Sequence, residues 1–200
     1  MFDDLQSAAL VAFHDAQHLT PGWAKTVPAR HAAGVWQWIE GNHRCNCLLW
    51  DEEDLARRRD VPDAAIAANK RAIDGFNQAR NDAIERIDED ILARLAAVPV
   101  APDAWHNSET AGSIVDRLSI TSLKIHHMRA QTLREDADAG HIARCRDKLA
   151  LLERQRGDLA RCLDHLLDAA ARGRAFYRVY RQFKMYNDPA LNPWLYGGRR

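Results

Sequence analysis

Four acidic residues stand at helical spacing in two segments of the chain, and their chemistry points to a cation. The segments contain Glu53 directly before Asp54, and Glu85 three residues before Asp88. Hard divalent cations prefer carboxylate oxygens, and a helix presents side chains on one face at intervals of three or four residues. The pattern predicts a Mg²⁺ or Mn²⁺ site made by these four residues. The alternative is a structural ion-pair network, in which the acids are neutralised by basic residues. The basic residues concerned are Arg57, Lys70, Arg80 and Arg117.

Amide side chains accompany the acids and suit a polyhydroxylated ligand, because each amide both donates and accepts hydrogen bonds. An indole such as that of Trp50 can stack on a sugar or a base while amides bind its edges. Basic residues nearby would neutralise a phosphate. The predicted ligand-binding residues are Asn46, Trp50, Arg57, Lys70, Asn77, Asn81, Asp116 and Arg117. A buried hydrogen-bond network, with Trp50 as part of the core, explains the same residues.

These polar residues fall on helix faces that should be buried. On the second predicted helix, Asn42 and Asn46 share a face with Val35, Ile39 and Leu49. The third and fourth predicted helices also carry polar residues on their apolar faces. Because burying an unpaired polar group is unfavourable, the pattern indicates either a satisfied network or a binding site.

Histidines and cysteines give weaker metal signals. His14 and His18 are one helical turn apart, but zinc needs about four converging ligands and no zincin motif is present, so we interpret them as surface histidines. Cys45 and Cys47 lie beside His43. Residues two apart on a helix point to different sides, so we interpret this pair as packing. The four cysteines lack the spacing of a disulfide scaffold, which indicates reduced thiols.

Proline and glycine separate long segments rich in alanine, leucine, arginine and glutamate, which predicts helices joined by short loops. The predicted helices span about residues 4–18, 31–59 and 62–97, a fourth follows a cap within 107–110 and ends at about 134, and a fifth spans about 138–173. The tail from residue 174 is predicted to begin as a helix and to be irregular at about 187–200. No strand is predicted, because the apolar spacing is three and four throughout. The predicted fold is an all-α, single-domain bundle of five to six helices over residues 1–200. On its fourth helix, Gly112 would let a backbone or a ligand approach closely.

Charge and hydropathy exclude several classes of partner. The chain has 28 basic and 28 acidic residues, so its net charge is zero and binding of nucleic acid through bulk charge is disfavoured. No apolar run approaches the roughly 20 residues that cross a bilayer, and the acidic start of the chain does not match a secretion signal. We expect a cytoplasmic protein with no membrane partner. The sequence allows a homodimer formed through a helix face and does not decide whether one forms.

The predicted tail interleaves basic and aromatic side chains. Such a segment can bind phosphates and stack bases, although packing of the aromatic rings into the core is the more common arrangement. The basic residues are Arg172, Arg174, Arg178, Arg181 and Lys184, and the aromatic residues are Phe176, Tyr177, Tyr180, Phe183 and Tyr186.

Three separated segments carry a resemblance to a known family. They are residues 46–57, residues 70–82 with 84–88, and residues 107–120, and the tail segment 183–189 agrees with them. Together they resemble a bacterial family, the domain of unknown function numbered forty-two fifty-four. The resemblance covers nearly the whole chain and implies an uncharacterised, all-helical protein. It also implies a role in cell-surface polysaccharide metabolism, an association that says nothing of mechanism.

Two functional hypotheses follow. In the first, a polar pocket made by the second, third and fourth predicted helices binds a small phosphorylated or sugar-containing ligand, with Mg²⁺ or Mn²⁺ as the candidate cofactor. In the second, the protein is a non-catalytic helical interaction or scaffold protein whose inward polar residues are structural. The sequence leaves open whether the protein is an enzyme.

Overall fold

A computed structural model describes residues 1–181 and 188–197 of the chain. The helices are α1 (Ser7–Gln17), α2 (Trp23–Thr26), α3 (Val35–Leu55), α4 (Asp63–Leu95), α5 (Ala111–Thr132), α6 (Ala139–Ala171) and α7 (Pro193–Tyr196). A 3₁₀ turn covers Asp3–Leu5, and two strands of two residues each, β1 (Trp105–His106) and β2 (Ala175–Phe176), pair in parallel. The prediction of an all-α bundle is confirmed.

Two helical hairpins make the bundle. Helices α3 and α4 form the first, helices α5 and α6 form the second, and α1 packs against α5 and α6. The core contains fully buried apolar residues from each of these helices, namely Leu10, Ile39, Ile87, Leu118 and Leu163. Since α5 also contacts both α3 and α4, the inward faces of these three helices meet along one side of the core. None of the helices in the described residues is both long and apolar enough to cross a bilayer.

Side-chain caps explain where two of the long helices begin. Thr110 Oγ1 accepts the N–H of Ser113 at 3.1 Å at the start of α5, and Asp138 Oδ1 accepts the N–H of His141 at 2.8 Å at the start of α6. Each cap satisfies one of the amide groups that lack a partner in the first turn of a helix. The cap predicted within residues 107–110 is therefore confirmed at Thr110.

The loop before α3 is tied to that helix by the buried carboxylate of Glu40. This group accepts the backbone N–H groups of Arg30 and His31, each at 3.0 Å, and a hydrogen bond from Arg44 Nη2 at 3.1 Å. These contacts hold residues 30 and 31 against a side chain nine or ten positions later, so this segment is a loop folded back on α3. The prediction of a helix from residue 31 is therefore wrong at its start, and α3 begins at Val35.

The short helix α2 lies in a segment predicted to be a loop. Arg44 on α3 donates from Nη1 to the backbone oxygens of Trp23, Ala24 and Val27 at 3.2, 2.8 and 3.0 Å. Its guanidinium also lies 4.4 Å from the centroid of the Trp23 ring. One arginine thus binds the carbonyl groups at the end of α2 and fixes this helix on α3.

Two predictions about the end of the chain are wrong: the absence of strands and the helical start of the tail. After α6 the chain returns beside the segment that precedes α5, where the Trp105 N–H donates to Arg174 O at 3.1 Å and the Asn107 N–H donates to Phe176 O at 2.8 Å. Gly173 makes this return, with φ +68°, and a Cβ there would lie 2.1 Å from the backbone oxygen of Pro99. The chain therefore leaves the helix and pairs as β2 instead.

Candidate functional site

A buried network of amide, carboxylate and hydroxyl groups joins α3 to α5. Asn42 and Asn46 donate to Asp116 Oδ1 at 2.8 and 2.9 Å, and Asn46 also donates to Ser119 Oγ at 3.0 Å. Nδ1 of His43 lies 2.8 Å from the same hydroxyl oxygen. All five side chains are buried. Their hydrogen bonds offset the unfavourable burial of polar groups, and they fix the register of α3 against α5.

A cleft of about 320 Å³ adjoins this network, between α3, α4 and α5. This volume lies at the lower end of the roughly 300–1,000 Å³ that small-molecule sites occupy. Trp50 forms one wall, and its indole stacks on the imidazole of His127 with ring centroids 4.2 Å apart and planes within 3°. The polar lining residues are Asn46, Trp50, Glu53, Asp54, Arg57 and Arg80.

Arg80 supplies a cation on the α4 side of the cleft. Its Nε lies 3.9 Å from Asp116 Oδ1, which is an ion pair beyond hydrogen-bond distance. This Nε is buried and has no hydrogen-bond partner in the part of the chain that the structure describes, whereas 27% of the Arg80 side chain is exposed. The guanidinium is therefore held near Asp116 by charge rather than by a hydrogen bond, and the exposed part of the side chain lines the cleft. The sequence pattern predicted Arg80 only as a partner for acids and did not predict this position in the cleft.

The structure brings together four of the predicted ligand-binding residues. Asn46, Trp50 and Arg57 line the cleft, and Asp116 lies against Asn46 in the network beside it. Arg57 is at the exposed rim and forms an ion pair with Glu53 at 3.1 Å. These four side chains therefore share one region of the bundle.

The other four predicted ligand-binding residues lie elsewhere. Lys70 is on the exposed face of α4, where it pairs with the aspartate one turn later. Arg117 points away from the bundle and binds Glu109 at 2.7 Å. Asn77 is half-buried on α4, and Asn81 lines a separate pocket of about 100 Å³. The regular spacing along α4 therefore did not place Lys70, Asn77 or Asn81 in the cleft, and Arg117 lies on the exposed face of α5.

The structure divides the predicted divalent-cation site into two pairs. Glu53 and Asp54 line the cleft, whereas Glu85 and Asp88 line the smaller pocket between α4 and α5. Because α3 and α4 are antiparallel, Glu53 lies near the loop that joins them and Glu85 lies toward the other end of the hairpin. Within the described residues one group of three or more metal-ligating side chains converges, and it contains none of these acids.

Asp88 contacts the first turn of α5. Its Oδ1 accepts the backbone N–H of Gly112 at 2.7 Å, and its side chain is almost fully buried. The predicted close approach at Gly112 is confirmed, because a Cβ there would lie 2.6 Å from the backbone oxygen of Ile84 and 2.9 Å from the Asp88 carboxylate. A carboxylate at a helix N-terminus is favourable, so Asp88 stabilises the start of α5 in this structure.

Asp88 gives the fold a measurable pH dependence. Burial raises the pKa of Asp88 from 3.8 to about 6, although hydrogen bonds, including the one from Gly112, oppose the rise. The folded protein therefore binds this proton more tightly than the unfolded chain, and the stability that the group contributes falls as the pH rises between the two values. Relative to Asp88→Asn, which does not titrate, the wild type should lose roughly 2 kcal/mol of unfolding free energy between about pH 4 and about pH 7.

Urea denaturation of both proteins at the two pH values measures this difference directly. Effects of other titrating groups cancel, because both proteins contain them. A difference between wild type and variant that is the same at both pH values would contradict a raised pKa for Asp88.

Imidazole and thiol groups converge where the end of α1 meets α3. His18, His43 and Cys47 each place one ligating atom within 4.8 Å of the other two, and we call these three residues the histidine–cysteine group. Sγ of Cys47 lies 3.8 Å from Nε2 of His43, one helical turn earlier. The ring of His14 lies 4.6 Å from that of His43, and the ring of His126 stacks on His18 at 4.8 Å.

Burial keeps these side chains uncharged at neutral pH. Burial, with smaller effects from nearby charges, lowers the pKa of His14 to about 3 and that of His18 to about 4. Burial also raises the pKa of the Cys47 thiol to about 12. The imidazoles therefore retain nitrogen lone pairs at neutral pH, which is the form that binds metal ions.

The histidine–cysteine group was not predicted from the sequence. The prediction of a surface position is wrong for His14, which is fully buried. Two pairs at the same helical spacing, His14 with His18 and His43 with Cys47, could have been combined as one signal. What the sequence lacked was evidence that α1 and α3 meet at these two turns.

The basic and aromatic tail lies partly within the described residues. Tyr177 is buried, Tyr180 is largely exposed, and Arg181 forms an ion pair with Glu89 at 3.1 Å. One aromatic side chain therefore packs inward as expected. Phe183, Lys184 and Tyr186, and the tail motif 183–189 up to residue 187, lie outside the described residues.

Comparison with known proteins gives one match. The model of a family described as a protein of unknown function, DUF4254, matches residues 36–179. The matched span covers α3 from its second residue and the whole of α4, α5 and α6, and hence the buried network and the cleft. No curated protein and no solved structure matches the chain significantly.

Proposed function

The chain belongs to the DUF4254 family, and we propose that it binds a small phosphorylated sugar in the cleft between α3, α4 and α5. The phosphate would pair with Arg80, and the sugar would contact Trp50 and the amide of Asn46. We also propose that this binding takes place in the cytoplasm. The family resemblance implies a role in cell-surface polysaccharide metabolism, and a phosphorylated sugar is a ligand that fits this role.

The single observation that carries this proposal is the position of Arg80. A half-buried guanidinium beside the cleft, with a buried Nε that lacks a hydrogen-bond partner among the described residues, is incompletely neutralised by Asp116 at 3.9 Å. Asp116 is itself bound by two amide groups, which share its negative charge. A phosphate oxygen can accept charge-assisted hydrogen bonds from such an arginine, and planar guanidinium groups suit phosphate geometry.

The remaining lining residues suit a sugar ring. His127 covers one face of the Trp50 indole, so a ligand in the cleft would contact the opposite face or the edge of the ring. The amide oxygen of Asn46 and the carboxylates of Glu53 and Asp54 supply acceptors for hydroxyl groups. The proposal thus assigns stacking to one wall of the cleft and hydrogen bonding to its rim.

A divalent cation is compatible with this arrangement at the rim alone. Glu53 and Asp54 are the two acids of the predicted Mg²⁺ or Mn²⁺ site that line the cleft. Mg²⁺ is commonly held by one or two carboxylates together with substrate phosphates. We therefore propose that Mg²⁺ would strengthen binding of a phosphorylated ligand and would bind only weakly without it.

Replacement of Arg80 tests this function. We expect Arg80→Gln to weaken binding of glucosyl phosphate by at least about tenfold, because a charge-assisted hydrogen bond to the phosphate is lost. Calorimetric titration of wild type and variant, with and without Mg²⁺, measures the change. Arg71→Gln is the matched control, since Arg71 is an exposed arginine on the same helix and should leave the affinity unchanged.

The alternative function makes a different prediction in the same experiment. If the polar residues only set helix register, neither wild type nor Arg71→Gln will bind glucosyl phosphate or free glucose at millimolar concentration. That result would overturn the proposal in favour of a helical interaction protein. Equal binding by wild type and Arg80→Gln would show that the phosphate does not contact Arg80.

A further inference from the structure

A further cavity, of about 170 Å³, opens beside the histidine–cysteine group. It lies between the end of α1, the short helix α2 and the inward faces of α3 and α5. His18, Cys47 and His126 line it, and Trp23 covers another side with its ring centroid 5.5 Å from that of His43. A small ion can therefore reach His18 and Cys47 from this cavity.

The separation of the three ligating atoms suits one tetrahedral metal ion. In zinc sites nitrogen and sulfur ligands lie about 2.0–2.3 Å from the ion, so two ligands of the same ion are roughly 3.5 Å apart. The Cys47 sulfur and the His43 nitrogen are 3.8 Å apart, and all three ligating atoms lie within 4.8 Å. Side-chain movements of about 1 Å would bring all three to bonding distance.

The buried network orients one of these ligands. Nδ1 of His43 lies 2.8 Å from Ser119 Oγ, and Asn46 Nδ2 donates to the same hydroxyl oxygen at 3.0 Å. In the tautomer that donates from Nδ1–H to Ser119, the Nε2 lone pair faces Cys47. Histidine ligands of metal ions usually donate their second ring nitrogen in this way, which fixes the ring and its tautomer.

Unpaired nitrogens next to the group point to a missing partner. Nε2 of His18 and both ring nitrogens of His14 are buried and have no hydrogen-bond partner among residues 1–181 and 188–197. Buried polar atoms in proteins are almost always paired, because leaving one unpaired is unfavourable. A metal ion bound at His18 would supply such a partner to the first of these nitrogens.

We propose that His18, His43 and Cys47 bind one transition-metal ion of the zinc class, with a fourth position open to the cavity. Nitrogen and sulfur ligands select borderline ions such as Zn²⁺ over Mg²⁺ or Mn²⁺, so this site differs in chemistry from the acidic pair at the rim of the cleft. Three protein ligands with an open position are typical of sites where water or a substrate completes the coordination. The site is independent of the proposed sugar binding.

Titration with Co²⁺ in place of Zn²⁺ tests the site without knowledge of any substrate. The wild type should bind one equivalent and develop a near-ultraviolet thiolate-to-cobalt charge-transfer band with intense visible bands of tetrahedral Co²⁺. Cys47→Ser should abolish the charge-transfer band. His18→Ala should weaken Co²⁺ binding by at least about tenfold.

Two other cysteines provide matched controls. Cys45→Ser removes a half-buried thiol from the same helix, and Cys145→Ser removes the thiol of another one-turn pair, in which Sγ lies 3.4 Å from His141 Nε2. Both variants should retain the charge-transfer band, because neither cysteine belongs to the histidine–cysteine group. Circular dichroism establishes that each variant is folded.

Several results would overturn the proposal. They are failure of folded wild type to bind Co²⁺, a charge-transfer band that persists in Cys47→Ser, and unchanged affinity in His18→Ala. If Cys47→Ser does not fold, His18→Ala decides the matter, because His18 lies at the end of α1 and outside the buried network. None of these outcomes affects binding of glucosyl phosphate in the cleft.

Discussion

Glu40→Ala is expected to lower the free energy of unfolding by about 3–5 kcal/mol, the range found when one partner of a buried ion pair is removed. The wild-type carboxylate is almost fully buried and accepts hydrogen bonds from the backbone of Arg30 and His31 and from the Arg44 side chain. Burial alone would raise the pKa of Glu40, but these hydrogen bonds lower it. The stabilisation is therefore present above the usual pKa of glutamate and is lost as the pH falls through the lowered value.

The loss should spread beyond the immediate contacts of Glu40. Arg44 also binds the carbonyl groups at the end of α2, so a displaced guanidinium would release this helix and Trp23 from α3. Urea denaturation at neutral pH measures the change. Glu53→Ala is the matched control, because its exposed pair with Arg57 is worth only about 0.3–0.5 kcal/mol. Similar values for the two variants would show that Glu40 does not anchor the loop.

Asp116→Ala is expected to lower the free energy of unfolding by about 3 kcal/mol, since buried groups lose their acceptor and their counter-charge together. Asn42 and Asn46 would each lose a hydrogen bond of 2.8–2.9 Å, and Arg80 would lose the carboxylate at 3.9 Å. Denaturant titration gives the value. Asp74→Ala is the control, because Asp74 is an exposed acid on α4 whose removal should change stability by less than about 0.5 kcal/mol.

A double-mutant cycle separates the network from the cleft. Asp116→Ala combined with Arg80→Gln should be less destabilising than the sum of the single variants, because the second change removes the charge that the first leaves uncompensated. Of the two single variants, Arg80→Gln should change the free energy of unfolding less than Asp116→Ala does. It should change the affinity for the ligand more. Additive effects on stability would mean that Asp116 does not hold Arg80 in place.

The helices of this protein follow from local signals in the sequence. Prolines before α4 and after it, and the capping residues Thr110 and Asp138, fix boundaries that depend on few distant contacts. The start of α3 was mistaken because it depends on Glu40, a residue inside the helix that binds the amides of the preceding loop. A contact of this kind leaves no pattern in the residues next to the start of the helix, so the sequence does not predict it.

The short parallel strands could not be predicted for a similar reason. Each has two residues, which is too few for any periodic pattern. They form because the chain after α6 returns beside the segment that contains Pro99, where Gly173 alone allows the close approach. A return of this kind is set by packing of whole helices.

Part of the candidate site was predictable, because inward-facing amides on α3 and an acid on α5 mark one shared face. Asn46 and Asp116 are buried together as this pattern predicts. The pattern does not show how far a neighbouring helix covers that face. Arg57, which follows the last turn of α3 on this face, was predicted to bind a ligand but is exposed. It also does not fix the rotation of α4, which places Arg80 in the cleft and Lys70 outside it.

The most direct test of binding in the cleft is an NMR titration of isotope-labelled wild-type protein with glucosyl phosphate. The indole N–H signal of Trp50 and the Nε–H signal of Arg80 should shift together and reach saturation with one dissociation constant. The indole signal of Trp194, which is 92% exposed and does not line the cleft, should stay in place. If the Trp50 and Arg80 signals remain fixed at saturating ligand, the cleft is not a phosphosugar site.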